Sequence, residues 1–189
     1  MKARPERRVS DEAYVSAIEA PQGAEVETGP GSDYLITVQV DERFDGKVDA
    51  DALHRLALGV LKAEGKRGPL ELGVVVTTDD EVHALNREYL GHDYQTDVIS
   101  FGMESEGEFI TPEERPAYLG DIVISYERAV EQGPEYGHTA EKEVATLLVH
   151  GLLHLLGYDD TDEEARERMH ARQDALMRSS EFGIRNDSD

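Results

Sequence analysis

Two histidines four residues apart, His150 and His154, sit in the apolar run HGLLHLLGYDD and are followed by Gly157 and Asp160. Each helical residue turns the chain by about 100°, so residues four apart lie about 40° from each other on one face. Two imidazoles so placed can reach a single metal ion from a rigid support. Gly157 suits the left-handed turn that ends a helix, and the reversed chain then carries Asp160 back toward the same point. Two imidazoles and a carboxylate make three ligands and leave the fourth position of a tetrahedral zinc open to water. His150, His154 and Asp160 are the candidate ligands of such a metal site. The plain alternative is a pair of half-buried helix histidines that bind nothing. Among the other five histidines, His170 lies on the next predicted helix and is the one sensible spare ligand. His54, His83, His92 and His138 stand alone in polar or helical settings and read as surface or core residues.

The same spacing matches the zinc ligands of metzincin-type metalloproteases, which carry a glutamate general base directly after the first histidine. Here that position is Gly151, which cannot move a proton. The ligand pattern is shared, and the protease base is missing.

The histidines need a scaffold, and the chain alternates between two periods. YLITVQV (34–40) and LELGVVVTT (70–78) read as strands, and so do the shorter DVISFGM (97–103) and LGDIVIS (119–125). Leu53, Leu56, Leu58 and Leu61 line one side of an amphipathic helix over 49–65, closed by Gly65. Thr78 precedes Glu81 by three, a capping-box spacing that starts a helix running to about Tyr89. A strong helix capped near Thr139 carries the two histidines, and an amphipathic one follows to 178. An acidic loop with prolines at 112 and 116 separates the last two strands. Strands and helices mix without a regular βαβ repeat, which predicts an α+β fold: a small mixed sheet with packed helices and a metal site at the end of a central helix. Residues 1–33 are polar and lack an apolar period, so they are expected to form a flexible extension. The domain proper is expected over 34–179, with a flexible tail at 180–189.

The charge is lopsided: 41 acidic against 19 basic residues, a formal −22. Phosphate-backbone binding relies on Lys and Arg, so this balance argues against nucleic acid as a partner of the bulk surface. A second reading is an acidic, lysine-poor surface suited to high salt, where counterions screen self-repulsion. On that reading the charge reports the milieu and says little about the ligand. The absence of cysteine excludes disulfides, thiolate ligands and a cysteine nucleophile. No apolar segment follows the basic start, and no run approaches the roughly 18 apolar residues of a membrane span. A soluble, cytoplasmic protein is expected.

Taken together, these segments resemble the YbeY family of bacterial endoribonucleases. VHGLLHLLGYDD is similar to the family motif His-Gly-x-Leu-His-Leu-x-Gly-Tyr-Asp-His. LNREYLGHDYQTDVISF (85–101) is similar to Leu-Asn-x-x-Tyr-Arg-x-x-Asp-x-Pro-Thr-Asp-Val-Leu-Ser-Phe, and LGDIVIS sits between the two as the family's Leu-Gly-Asp-Ile strand does. The resemblance covers about residues 35 to 178. It implies one zinc per chain and cleavage of single-stranded rRNA, in 16S rRNA 3′-end maturation and ribosome quality control. It also implies ribosomal particles, with ribosomal or GTPase assembly proteins, as partners.

Three positions depart from the family pattern. Asp160 stands where the third ligand is usually histidine, Leu90 where the family has an arginine beside the cleft, and Gly102 where a proline usually follows Ser-Phe. Aspartate remains a competent zinc ligand. The missing arginine bears on catalysis, because a guanidinium suits a scissile phosphate. Arg87, three residues earlier on the predicted helix, is a candidate substitute; a solvated surface arginine is the alternative. Asp121 in LGDIVIS is a second catalytic candidate, otherwise a strand-end acid. Asp93, Thr96 and Asp97 read as hydrogen bonders that fix a loop. The expected chemistry is metal-assisted phosphodiester hydrolysis with no general base yet named. Two other classes stay open: a metalloprotease-like hydrolase, and a ribosome-assembly factor whose zinc is mainly structural.

Overall fold

The computed structural model describes residues 34–102 and 116–178. The expected extension (1–33), the tail (180–189) and most of the acidic loop, including Pro112, lie outside the described residues.

Among the described residues four strands form one mixed sheet in the order β1-β2-β4-β3. They are β1 (Tyr34–Val40), β2 (Leu70–Thr77), β3 (Val98–Gly102) and β4 (Ala117–Ser125). β1 pairs with β2 in parallel, β2 with β4 in parallel, and β3 with β4 antiparallel. Parallel neighbours need a crossover, and α1 (Ala50–Ala63) supplies it between β1 and β2. The fold therefore holds a single βαβ unit inside an α+β architecture.

Period-two alternation gives the sheet two faces. Leu72, Val74, Val76, Ile122 and Ile124 face the main core, with Leu56, Val60 and Leu61 of α1 and Leu148 and Leu152 of α4 (Ala140–Leu155). Val123 and Ile99 face the other way, onto Val82 of α2 (Asp79–Leu85). Thr78 and Thr139 cap α2 and α4 as their spacing predicts, accepting from the backbone N–H of Glu81 and Lys142. Past Leu85 the predicted continuation to Tyr89 is a wider π-type turn over Asn86–Leu90. One α-helix among the described residues has no counterpart in the sequence reading: α3 (Tyr126–Gln132), capped by Ser125. Its only buried residue is Ala129, so it carries no apolar stripe to read. The last helix, α5 (Glu163–Arg178), turns back along α4 and seats Ala165, Met169 and Leu176.

α4 is the central helix, and Gly151 explains how closely it lies on the sheet. A Cβ at that position would stand 2.9 Å from both Ile122 Cγ2 and Ser100 Oγ. Ser100 Oγ also donates to the Gly151 carbonyl at 3.1 Å. The position after the first histidine is thus filled by the sheet, and no glutamate can occupy it.

Candidate metal centre

The last turn of α4 builds the site. Gly157, at φ 95°, closes the helix with a Schellman pair: its N–H donates to the His154 carbonyl and the Tyr158 N–H to that of Leu153, both at 3.0 Å. The reversed chain brings Asp160 to the histidines. Ligand atoms of His150, His154 and Asp160 all lie within 4.8 Å of one another. The two imidazole Nε2 atoms are 3.1 Å apart, and Asp160 Oδ2 is 3.9 Å from His154 Nε2. Two nitrogens on a tetrahedral zinc at about 2.05 Å would be roughly 3.3 Å apart, so the histidine pair fits that ion as it stands.

Proton positions strengthen the fit. His150 Nδ1 lies 3.0 Å from Gln173 Oε1, and His154 Nδ1 lies 3.2 Å from the Tyr158 carbonyl oxygen. Both partners only accept, so each neutral ring carries its proton on Nδ1 and presents a bare lone pair at Nε2. Two lone pairs then face each other at 3.1 Å, which is repulsive unless a cation lies between them. Burial, reinforced by the neighbouring His154, pushes the His150 pKa down and keeps the ring in its ligand-competent neutral form. Asp160 is nearly half exposed, leaving one side of the site open. Asp159 is committed elsewhere: it accepts from Thr161 Oγ1 and the Thr161 N–H, which hold its carboxyl below the usual range.

Tyr158 ties this turn to the body of the fold. Its carbonyl orients His154, and its hydroxyl donates to Glu64 Oε2 at 2.9 Å, at the end of α1. Glu64 is in turn gripped by Arg172 Nε at 2.5 Å, from α5. Glu64 and Arg172 hold Tyr158, and Tyr158 holds the ligand. Tyr158→Phe keeps the carbonyl but leaves Glu64 one donor short, at a cost of about 1–2 kcal/mol. Zinc affinity is expected to fall by about 10-fold, as for other changes behind a ligand. Chemical denaturation and competition with a zinc chelator measure the two effects.

The remaining candidates fall in several places. Asp121, a catalytic candidate or else a strand-end acid, lies away from the triad's helix: alternation along β4 turns Ile122 toward α4 and Asp121 to the opposite face of the sheet. There it is 5% exposed, lies against Gly73 of β2 and accepts a short hydrogen bond from the Tyr118 hydroxyl. Burial pushes its pKa up to about 6. Gly73 is what makes room for it, since a Cβ there would overlap the carboxylate. Gly73→Ala is accordingly expected to destabilise the fold by roughly 1–3 kcal/mol in urea titrations, as overpacking does. Arg87 is exposed on the turn after α2, with no ion pair among the described residues. Leu90 is also exposed. Asp93 bonds His83 and Thr96 bonds the Val98 carbonyl, both loop contacts. Asp97 does more than fix a loop, since its charge acts on His150.

His170 stays outside the triad and lines a groove of about 540 Å³ that His150 also borders. The sequence reading missed Gln173, Tyr158 and the Glu64–Arg172 pair. Contacts spanning 23, 94 and 108 residues leave no local signal.

Residues 39–181 match the family model described as Endoribonuclease YbeY. A protein of that name from Roseiflexus castenholzii is 42% identical over 147 residues, covering 77% of this chain and 92% of the relative. Another, from Chloroflexus aggregans, is 46% identical over 146 residues, covering 76% and 94%. The solution structure of TM1509 from Thermotoga maritima is similar at a TM-score of 0.51 and 25% identity, covering 78% of this chain and 88% of that one.

Proposed function

We propose that this chain, which belongs to the Endoribonuclease YbeY family, is a zinc-dependent endoribonuclease that cuts single-stranded RNA at the His150–His154–Asp160 centre. The observation that carries the metal is the 3.1 Å approach of the two Nε2 atoms, with each Nδ1 already beside an acceptor oxygen. A zinc ion bound there supplies Lewis-acid activation of water and of a phosphoryl oxygen. The chain's own residues set the frame: Gln173 and the Tyr158 carbonyl hold both tautomers, and half-exposed Asp160 leaves an approach for substrate. That exposure favours a catalytic over a purely structural zinc, because structural sites are closed by four protein ligands. A protease-like reading loses its base outright, given the packing at Gly151.

The natural substrate we assign is the 3′ end of 16S rRNA on ribosomal particles, in maturation and quality control, with ribosomal or GTPase assembly proteins as partners in the cytoplasm. The support is the family likeness. Among the described residues no helix is long and apolar enough to cross a membrane. We take 34–179 as the catalytic domain. Asp121 and Arg87 receive no step in this scheme.

The third ligand offers the sharpest test. Asp160→Ala is expected to weaken zinc binding by more than about 100-fold, beyond the range for groups that merely support a ligand. Asp159→Ala, whose carboxylate serves Thr161, should change it by less than about tenfold. Zinc titration and cleavage of a labelled single-stranded rRNA fragment read both variants. Tight stoichiometric zinc in Asp160→Ala would move the third ligand elsewhere, with His170 the first residue to replace next.

A further inference from the structure

Of the triad, His150 borders the groove between α4 and α5 and marks one end of it. Glu143 and His150 are seven residues apart, two helical turns, so they share one face of α4 about 10 Å apart along its axis. Both border the groove, whose volume is about 540 Å³, within the usual range for a small-molecule or nucleotide site. α5 forms the opposite wall. Gln173 stands beside His150, and Arg178 lies further toward the start of α4.

The end remote from the triad has a distinct chemistry. Lys142 and Arg178 both border it, and neither forms an ion pair among the described residues. Arg43, Arg55, Arg128, Arg168 and Arg172 are all paired with acids. In a chain of net charge −22 with five lysines, these two cations without an ion pair border the same groove as His150. Tyr136 projects from the same end with 66% exposure, its ring centroid 6.4 Å from that of His138. One acid at this end is turned inward. Glu143, with a side chain only 5% exposed, turns its Oε2 onto His138 Nδ1 at 3.0 Å. That contact also pins the His138 ring to the groove wall. The remaining carboxylates, Asp97 and Asp174, border the groove as well. Asp97 lies toward the triad end, where its charge acts on His150, and Asp174 stands one helical turn before Arg178 on the same face of α5.

We infer that this end of the groove is a subsite for a nucleotide of single-stranded RNA next to the cleaved bond, its base on Tyr136 and its phosphate on Lys142 and Arg178. An exposed aromatic beside unpaired cations suits a single strand, because every base offers a π-face and every linkage a phosphate. A duplex would hide those faces. The inference deepens the endoribonuclease reading and rests on it for the identity of the bond cut. It gives an acidic protein a local means of holding RNA.

Two measurements test it, with Arg55→Ala on the exposed side of α1 as the control. Fluorescence anisotropy uses a labelled single-stranded oligoribonucleotide and full-length protein carrying His154→Ala, so that no cutting intervenes. Tyr136→Ala is expected to raise Kd about fivefold or more, the loss of one stacked base. Lys142→Ala should raise Kd as well and flatten the slope of log affinity against log salt by about 0.7, one phosphate contact of a single strand. On the zinc-loaded protein with His154 intact, both variants should raise KM by a similar factor and leave kcat within about twofold. Zinc content should be unchanged, and Arg55→Ala should match its parent in every readout. Unchanged Kd and salt slope in both groove variants, alongside normal cleavage, would overturn the subsite and leave the nuclease reading intact. If instead the zinc-loaded protein cuts no RNA, yet the groove variants still lose affinity, the nuclease reading fails and the RNA subsite stands.

Discussion

Replacing His150 and His154 together with alanine is expected to take zinc from one ion per chain to a trace. RNA cleavage should then fall by at least about a thousandfold, equivalent to roughly 4 kcal/mol of lost transition-state stabilisation. Both rings are only half buried and each gives up a single Nδ1 hydrogen bond, so the fold should survive without the ion. Its melting temperature should no longer respond to added zinc, because stabilisation by a ligand requires a site in the native state. Elemental analysis, thermal melts with and without zinc, and a cleavage assay give three separate readouts. Full zinc retention in the double variant would remove the proposed centre altogether.

A second large effect is expected far from the metal, at Asp121. In the unfolded chain its carboxyl has the ordinary value of 3.8; in the fold, burial raises it to about 6. Between those values the folded chain binds the proton more tightly than the unfolded one. The group therefore favours folding at low pH, and that contribution is lost as pH rises from about 4 to about 6. The displacement corresponds to roughly 3 kcal/mol. Asp121→Asn keeps the shape but cannot ionise, although its amide must find an acceptor near Gly73, which offsets part of the gain. The stability difference between Asp121→Asn and the parent should thus grow in the variant's favour by up to roughly 3 kcal/mol between pH 4 and pH 7. Urea titrations at five or six pH values measure it. A difference that stays constant with pH would mean that the carboxyl is well solvated, contrary to its position. The assay also separates roles, because a catalytic acid would change the pH profile of cleavage and a structural one would not.

The sequence was most legible where local chemistry decides. β1 falls on the predicted residues 34–40, and Thr78 and Thr139 are the caps their spacing announced. His150 and His154 come together because a helix fixes the relation between residues four apart. Asp160 joins them because Gly157 reverses the chain within three residues. Legibility fades where packing across the chain decides. Nothing local tells that Gln173 would set the tautomer of His150, or that Glu64 would reach Tyr158 across 94 residues. Asp121 stays between two readings in the sequence for a related reason. A strand pattern gives two faces, but only the helix packed above tells which face holds the site. His138 looked solitary because its partner, Glu143, lies across a cap, where the intervening backbone stops being periodic.

The contact between Gly151 and the sheet bears on catalytic precision. A helix resting on side chains can roll slightly about its own axis as those side chains change rotamer. α4 rests on the sheet at its backbone, with Ser100 bonded to the carbonyl of Gly151, so that freedom is removed beside the first ligand. With side chains extending about 6 Å from the helix axis, a roll of roughly ten degrees would sweep a ring nitrogen through about 1 Å. A misplacement of about that size can cost around 100-fold in rate. The smallest residue in the motif thus acts as a rotational stop, and the aim of both imidazoles depends on a side chain that is not there.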